Sequence, residues 1–193
     1  MPFISEKNKA AALESGGGYL NPSKIQPGTS VRFALLTDNP LEYFECWGED
    51  ATGKPKPFRF TEDPSPEEIC AEMGEDYSRR MNRDGNGPEK VKFSVAVPVF
   101  NYDSEKVEVL ALTQKTLINE LDSISQMEDY QKLLEWDFVL SRKGAQKETK
   151  YSLRAAPRKK GCDEIINEAW SDSRSAGFDI TRLVSGGNPF KED

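Results

Sequence analysis

From position 91 to position 99 every second residue is apolar: Val91, Phe93, Val95, Val97 and Val99 alternate with Lys92, Ser94, Ala96 and Pro98. A period of two puts one set on one face of a pleated strand, so the segment reads as a half-buried β-strand. Pro98 has no amide hydrogen for a ladder, which predicts an edge or a bulge at the far end. After a turn at 101–104, Val107, Val109 and Ala111 resume the alternation, and the two runs form a hairpin. The same period appears in Val31, Phe33 and Leu35, in residues 41–47, in Trp136, Phe138 and Leu140, and in Tyr151, Leu153 and Ala155.

The period changes to 3.6 at Leu117, Ile118, Leu121 and Ile124, which predicts a helix from near Thr113 or Thr116 to before Met127. A second helical piece follows through Tyr130, Leu133 and Leu134. Pro64-Ser65-Pro66-Glu67-Glu68 resembles a helix start, with Ile69, Met73 and Tyr77 on one face. Ile165, Ile166, Ala169 and Trp170 make a later helical stripe, and Ile180, Leu183 and Val184 one or two more turns. Residues 53–57 read as a loop, 84–88 as the end of the segment inserted between strands, and Gly186-Gly187-Asn188-Pro189 as the release of the tail.

These strings predict a mainly β fold with inserted helices, of the oligonucleotide-binding (OB) type: a five- to six-stranded Greek-key barrel over residues 30–160. An open α+β sheet fits the same pattern. Residues 1–29 read as a flexible arm with a short helix at 5–14 and little core, because Gly16-Gly17-Gly18, Pro22, Pro27 and Gly28 interrupt it. Residues 161–193 read as a helical C-terminal extension and tail.

The charge distribution narrows the function. The chain has 193 residues and a net charge of −7, yet residues 142–160 hold eight basic side chains and one acid, Glu148. The surplus of +7 there leaves −14 on the rest. Such a separation of sign is a local field that the total hides, and it points to a polyanionic partner. Arg142, Lys143, Lys147, Lys150, Arg154, Arg158, Lys159 and Lys160 are the phosphate-contact candidates, joined by Lys54, Lys56, Arg59 and Lys92.

Single strands also need rings on which bases stack, and Trp47, Phe58, Phe60, Phe100 and Tyr102 are the candidates. Phe58 and Phe60 flank Arg59 and are preferred. The alternative is that these rings fill the core, as strand aromatics usually do. Residues 38–89 carry fourteen acids against six bases and read mostly as solvated surface, or as an acidic lobe that competes for the basic groove.

Other chemistries find little support. The chain contains no histidine, and Cys46, Cys70 and Cys162 are far apart, so neither a Cys/His zinc site nor a disulfide framework is expected. The three read as reduced, packed thiols. No cofactor or metal is expected. Asp137 with Glu148-Thr149-Lys150 matches a short nuclease pattern in which two carboxylates hold Mg²⁺, and this enzymatic reading is the weakest. A non-catalytic module whose basic hairpin meets an acidic protein is the main rival. No apolar run is long enough for a membrane span and no signal peptide is visible, so a cytoplasmic protein is expected, in the host cytoplasm if viral.

The order of motifs adds a resemblance. Lys92-Phe93-Ser94-Val95-Ala96-Val97-Pro98-Val99, Val107-Glu108-Val109-Leu110, Thr113-Gln114-Lys115-Thr116-Leu117, Trp136-Asp137-Phe138-Val139-Leu140-Ser141-Arg142-Lys143-Gly144 and Thr149-Lys150-Tyr151-Ser152-Leu153 stand in that order. The series resembles the single-stranded DNA-binding proteins of tailed bacteriophages over residues 30–160. The resemblance implies an OB barrel that coats intermediates of DNA replication, recombination and repair. It also implies an arm that helps neighbouring copies bind cooperatively and a C-terminal region that contacts replication proteins. One departure is clear: many relatives carry a cysteine-based zinc site after the second strand, and Lys54-Pro55-Lys56-Pro57-Phe58 has no cysteine or histidine.

Overall fold

A computed structural model describes residues 18–191. The helix expected at 5–14 lies outside the described residues. Among the described residues nine strands form one mixed sheet: β1 (Tyr19–Leu20), β2 (Ser30–Leu35), β3 (Leu41–Asp50), β4 (Pro55–Phe60), β5 (Tyr77–Arg79), β6 (Lys92–Asn101), β7 (Lys106–Leu112), β8 (Trp136–Lys143) and β9 (Lys150–Pro157). The helices are α1 (Pro66–Met73), α2 (Lys115–Ser125), α3 (Asp163–Ser175) and α4 (Arg182–Ser185). No helix among the described residues is long and apolar enough to cross a membrane.

The main path of the sheet runs β1–β7–β6–β2–β8–β9, and β3 joins it through β6 while carrying β4 and β5. The fold is mainly β, as expected, but the sheet is not closed, because β1 and β9 end the path. The edge of β7 that a barrel would offer β9 is taken by β1, which pairs parallel through Tyr19↔Val109 and Leu20↔Leu110. The β9 edge is blunted differently. Glu120 of α2 accepts a 2.6 Å hydrogen bond from the Leu153 amide, so a helix side chain stands where a further strand would pair.

The alternation of apolar residues builds the first core. Phe33, Leu35, Val97, Val99, Leu110, Leu112, Phe138, Leu140 and Leu153 point to one face, where Leu117 and Ile124 of α2 cover them. The further helical piece expected after α2 is two short 3₁₀ turns, Glu128–Tyr130 and Leu133–Glu135, whose Tyr130 and Leu133 close the same core. Two arm residues also belong here: Leu20 and Ile25 are buried. Residues 19–25 are thus part of the domain, which corrects the reading of that stretch as an arm with little core.

The second face of the sheet differs from expectation. Ala96 and Phe100 of β6 are buried beneath the C-terminal helices, with Ile166 of α3 on Phe100 and Leu183 of α4 on Ala96. β6 is therefore a central strand buried on both sides. Pro98 sits inside it, paired with Val109, and causes no break. Its carbonyl accepts from the Leu36 amide at 3.1 Å, which turns its own nitrogen toward the gap between the end of β2 and the start of β3. No ladder donor is needed there. The tail is not released after residue 186 either: Phe190 packs edge-on against Tyr19 and Phe178, with ring centroids 6.1 and 5.5 Å away.

Residues 53–57, read as a loop, enter β4, an edge strand paired only with β3, where prolines are tolerated. α1 begins as expected, with a capping box in which Ser65 and Glu68 satisfy each other's backbone amides. Ile69 and Met73 of this helix bury against Cys46 and Phe58 in a small satellite core. Tyr77, the expected third residue of the stripe, reaches that cluster from β5 instead.

Candidate nucleic-acid interface

The cover provided by α3 and α4 stops short of one corner. On the second face of β2, β8 and β9 the strand registers bring Lys143 opposite Lys150, Ser141 between Ser152 and Ser30, and Val139 between Arg154 and Arg32. Lys143, Lys150, Ser152, Arg154 and Ser30 are exposed, and Val139 is buried among them. Lys147 extends the patch into the loop between β8 and β9, and Lys159 and Lys160 follow β9; all three are exposed. Among the described residues Lys143, Lys147, Lys150, Arg154 and Lys160 form no ion pair. The loop turns on Gly144 at φ +71°, where a Cβ would strike the Glu148 carbonyl oxygen, so glycine is required there.

The eight basic candidates of the hairpin thus divide into two groups. Arg142 is structural: its Nη1 donates to the carbonyls of Ser23 and Ile25, at 2.6 and 2.8 Å, and ties β8 to the turn after β1. Arg158 is structural too, with Nε 2.9 Å from Asp137 Oδ1 and Nη1 3.3 Å from Asp163. Its Nη2 donates to the Trp136 carbonyl at 3.2 Å.

Asp137, fully buried, is the hub of that corner. It also accepts from Arg32 Nε at 2.8 Å, from the Tyr102 hydroxyl at 2.9 Å and from the Lys159 amide at 3.0 Å. Burial, and then the bond to Asp137, push the Tyr102 hydroxyl well above its ordinary range, so it stays a donor.

This network separates the nuclease pattern. Asp137 pairs with Ala156 at one end of the hairpin, whereas Glu148 lies in the loop beyond the Lys143↔Lys150 pair. Six residues of strand, about 20 Å, lie between the two ends. The two carboxylates cannot share one metal ion. No group of three or more metal-ligating side chains occurs among the described residues.

The candidates outside the hairpin fall elsewhere. Arg59 is bound to Glu45 at 2.9 Å and to the Leu183 carbonyl at 3.1 Å, so it fastens α4 to the lobe made by β3, β4 and β5. Beside it the Tyr43 hydroxyl is pushed up to about 12, by burial first and then by Glu45. Lys54, Lys56 and Lys92 are exposed, but Lys56 lies over the Phe58 and Tyr77 rings, at 4.9 and 5.0 Å. Of the thiols, Cys46 is buried while Cys70 is exposed, against the expectation that all three are packed.

The stacking candidates mostly fill cores. Phe58 and Phe100 are 5% and 2% exposed, which removes both from contact with a base, and Phe60 packs on the satellite cluster. Trp47 is half-buried on β3. Tyr102 alone borders the basic corner, its ring flanked by Arg32 and Lys159 at 5.8 and 5.5 Å. Phe93, which is exposed and lies edge-on to Phe44 with ring centroids 5.5 Å apart, was not singled out from the sequence. Phe93 lines an apolar groove of about 440 Å³ between β6 and α2 whose rim carries Asp38, Glu42 and Asp122, a setting that repels phosphates.

Ser30, Ser141 and Ser152 were also missed by sequence reasoning. Only the period-two placement of Ser152 and Ser141 hinted at a shared face. Compared with protein-family models, with curated proteins and with solved structures, the chain matches none.

Proposed function

We propose that this chain binds single-stranded DNA without catalysis, through the open corner of β2, β8 and β9 and the loop that joins β8 to β9. The observation that carries the reading is a set of cations that form no ion pair among the described residues, Lys143, Lys147, Lys150, Arg154 and Lys160, on an otherwise acidic protein. Unpaired lysines and arginines on a small polar face take phosphates in a sequence-tolerant way, releasing counterions as they do so.

The chain order supports an OB-type ancestry. β2 pairs with both β6 and β8, β6 with β7, and β8 with β9, while α2 stands between the third and fourth of these strands. That is the OB order with β3, β4 and β5 inserted after the first strand and the last closing pair missing. OB domains use the loop between their fourth and fifth strands for nucleic acid, and here that loop is the basic one. Coating of replication, recombination or repair intermediates in a host cytoplasm belongs to the same reading. So do cooperative contacts between copies and contacts of the C-terminal region with replication proteins, as in the bacteriophage family the sequence resembles.

The test is fluorescence anisotropy with labelled oligo-dT and an equal-length duplex, at low and moderate salt. Binding to oligo-dT that exceeds duplex binding and weakens with salt is expected. Failure to bind oligo-dT at low salt would overturn the reading and leave an acidic protein as the partner of the hairpin.

A further inference from the structure

We infer that one phosphodiester backbone crosses β9, β8 and β2 at right angles to the strands, in a shallow trough with a hydroxyl floor between two cationic walls. The inference rests on the single-strand binding proposed above.

Lys143 and Lys150 stand directly opposite each other on β8 and β9. Like charges directly opposite on neighbouring strands repel and weaken the pairing, and no acid among the described residues bonds to either lysine. An anion between the two ammonium groups turns that cost into an attraction.

Two residues along the strands comes a row of three serines, Ser152, Ser141 and Ser30, in direct register on three adjacent strands. Their hydroxyls make no hydrogen bond within the described protein, and two of the three side chains are exposed. Two residues further comes Arg154 on β9. Arg32, its counterpart on β2, is held by Asp137 and by the Pro157 carbonyl, so it is not free. Lys159 replaces it at that end, its ammonium over the Tyr102 ring beside Arg32.

The two cationic rows stand four residues apart, about 14 Å, with the short serines midway between them. The floor spans two strand spacings, about 10 Å. Long lysine and arginine chains on both flanks and short hydroxyls between them make a depression for a single backbone. Lys143 and Lys150 face it from one side, Arg154 and Lys159 from the other, and the serines donate to phosphate oxygens. Bases are then directed outward, which accounts for a basic corner where, among the described residues, Tyr102 is the bordering ring.

The experiment compares wild type, Ser141→Ala/Ser152→Ala and Lys143→Gln/Lys150→Gln for oligo-dT affinity across a salt series. Two lost hydroxyl contacts to phosphate should lower affinity about tenfold. The salt slope should stay that of wild type, because no cation has been removed. The lysine variant should flatten the slope by about 1.4, from about 0.7 per single-strand contact. Unchanged melting of the serine variant certifies the fold. A serine variant that binds as tightly as wild type, while the lysine variant is weakened, overturns the trough and leaves single-strand binding standing. A wild type that does not bind oligo-dT removes the underlying reading, and the trough with it.

Discussion

The lobe of β3, β4 and β5 and the hairpin of β8 and β9 both carry several cations, but among the described residues the arginines of the lobe are tied to acids or carbonyls while most cations of the hairpin are not. In the lobe Arg59 is held by Glu45, Arg80 lies 3.5 and 3.9 Å from Glu49 and Glu89, and Arg79 donates to the Glu89 carbonyl. In the hairpin Arg142 and Arg158 are held in the same manner, whereas Lys143, Lys147, Lys150 and Arg154 meet no acid among the described residues. Charge counted along a chain is therefore not charge available to a ligand. The arginines that contact carboxylates or carbonyls shape the fold, and on the proposed reading the anion meets the hairpin cations that lack such contacts among the described residues.

The largest effect that sharpens this contrast is expected at Asp137. Replacing it with alanine leaves Arg158 and Arg32 without their buried counter-charge and Tyr102 without its acceptor. Urea denaturation should show a loss of about 3–5 kcal/mol. A loss under about 1 kcal/mol would mean that the two arginines are not structural and belong with the free ones. The next effect lies in the lobe. Arg59→Ala leaves the buried Glu45 unpaired and frees the Leu183 carbonyl, for a loss of about 2 kcal/mol on the same measurement. Its affinity for oligo-dT should match wild type in the folded range; a marked drop would return Arg59 to the interface and break the contrast.

Much of the sheet was legible because it depends on neighbours in sequence. The alternation in β2, β6, β7, β8 and β9, the 3.6 period of α2 and the Ser65–Glu68 capping box are local patterns, and each element formed within a few residues of its expected place. What failed depends on contacts distant in sequence. Nothing near Ala96 or Phe100 signals that α3 and α4 will bury the second face of β6. Nothing near Leu20 shows that β1 will take the edge a closed barrel needs.

The site shows the same division. The basic segment was plain as a segment, but Arg142 and Lys143 are adjacent and look alike in a charge count. What separates them is a turn more than a hundred residues upstream whose carbonyls hold Arg142. Phe58 and Phe60 beside Arg59 suggested stacking, yet their neighbours in space are Ile69 and Met73 of α1, so the pair packs inward. The serine row is invisible without the registers of β2 on β8 and of β8 on β9.

On the proposed reading, the hairpin cations that pair with no acid among the described residues bind the single strand, and the cations of the lobe do not. The most direct measurement is the salt dependence of oligo-dT affinity for three proteins: wild type, Lys143→Glu/Lys150→Glu/Arg154→Glu, and Lys54→Glu/Lys56→Glu. The four cations that flank the trough, Lys143, Lys150, Arg154 and Lys159, predict a wild-type slope of log affinity on log salt of about −2.8, at about −0.7 per contact, and contacts from Lys147 and Lys160 make it steeper. The hairpin variant should lose binding and most of that slope, with its melting unchanged, while the lobe variant keeps the slope of wild type. A hairpin variant that retains the wild-type slope, or a lobe variant that loses it, would contradict the account.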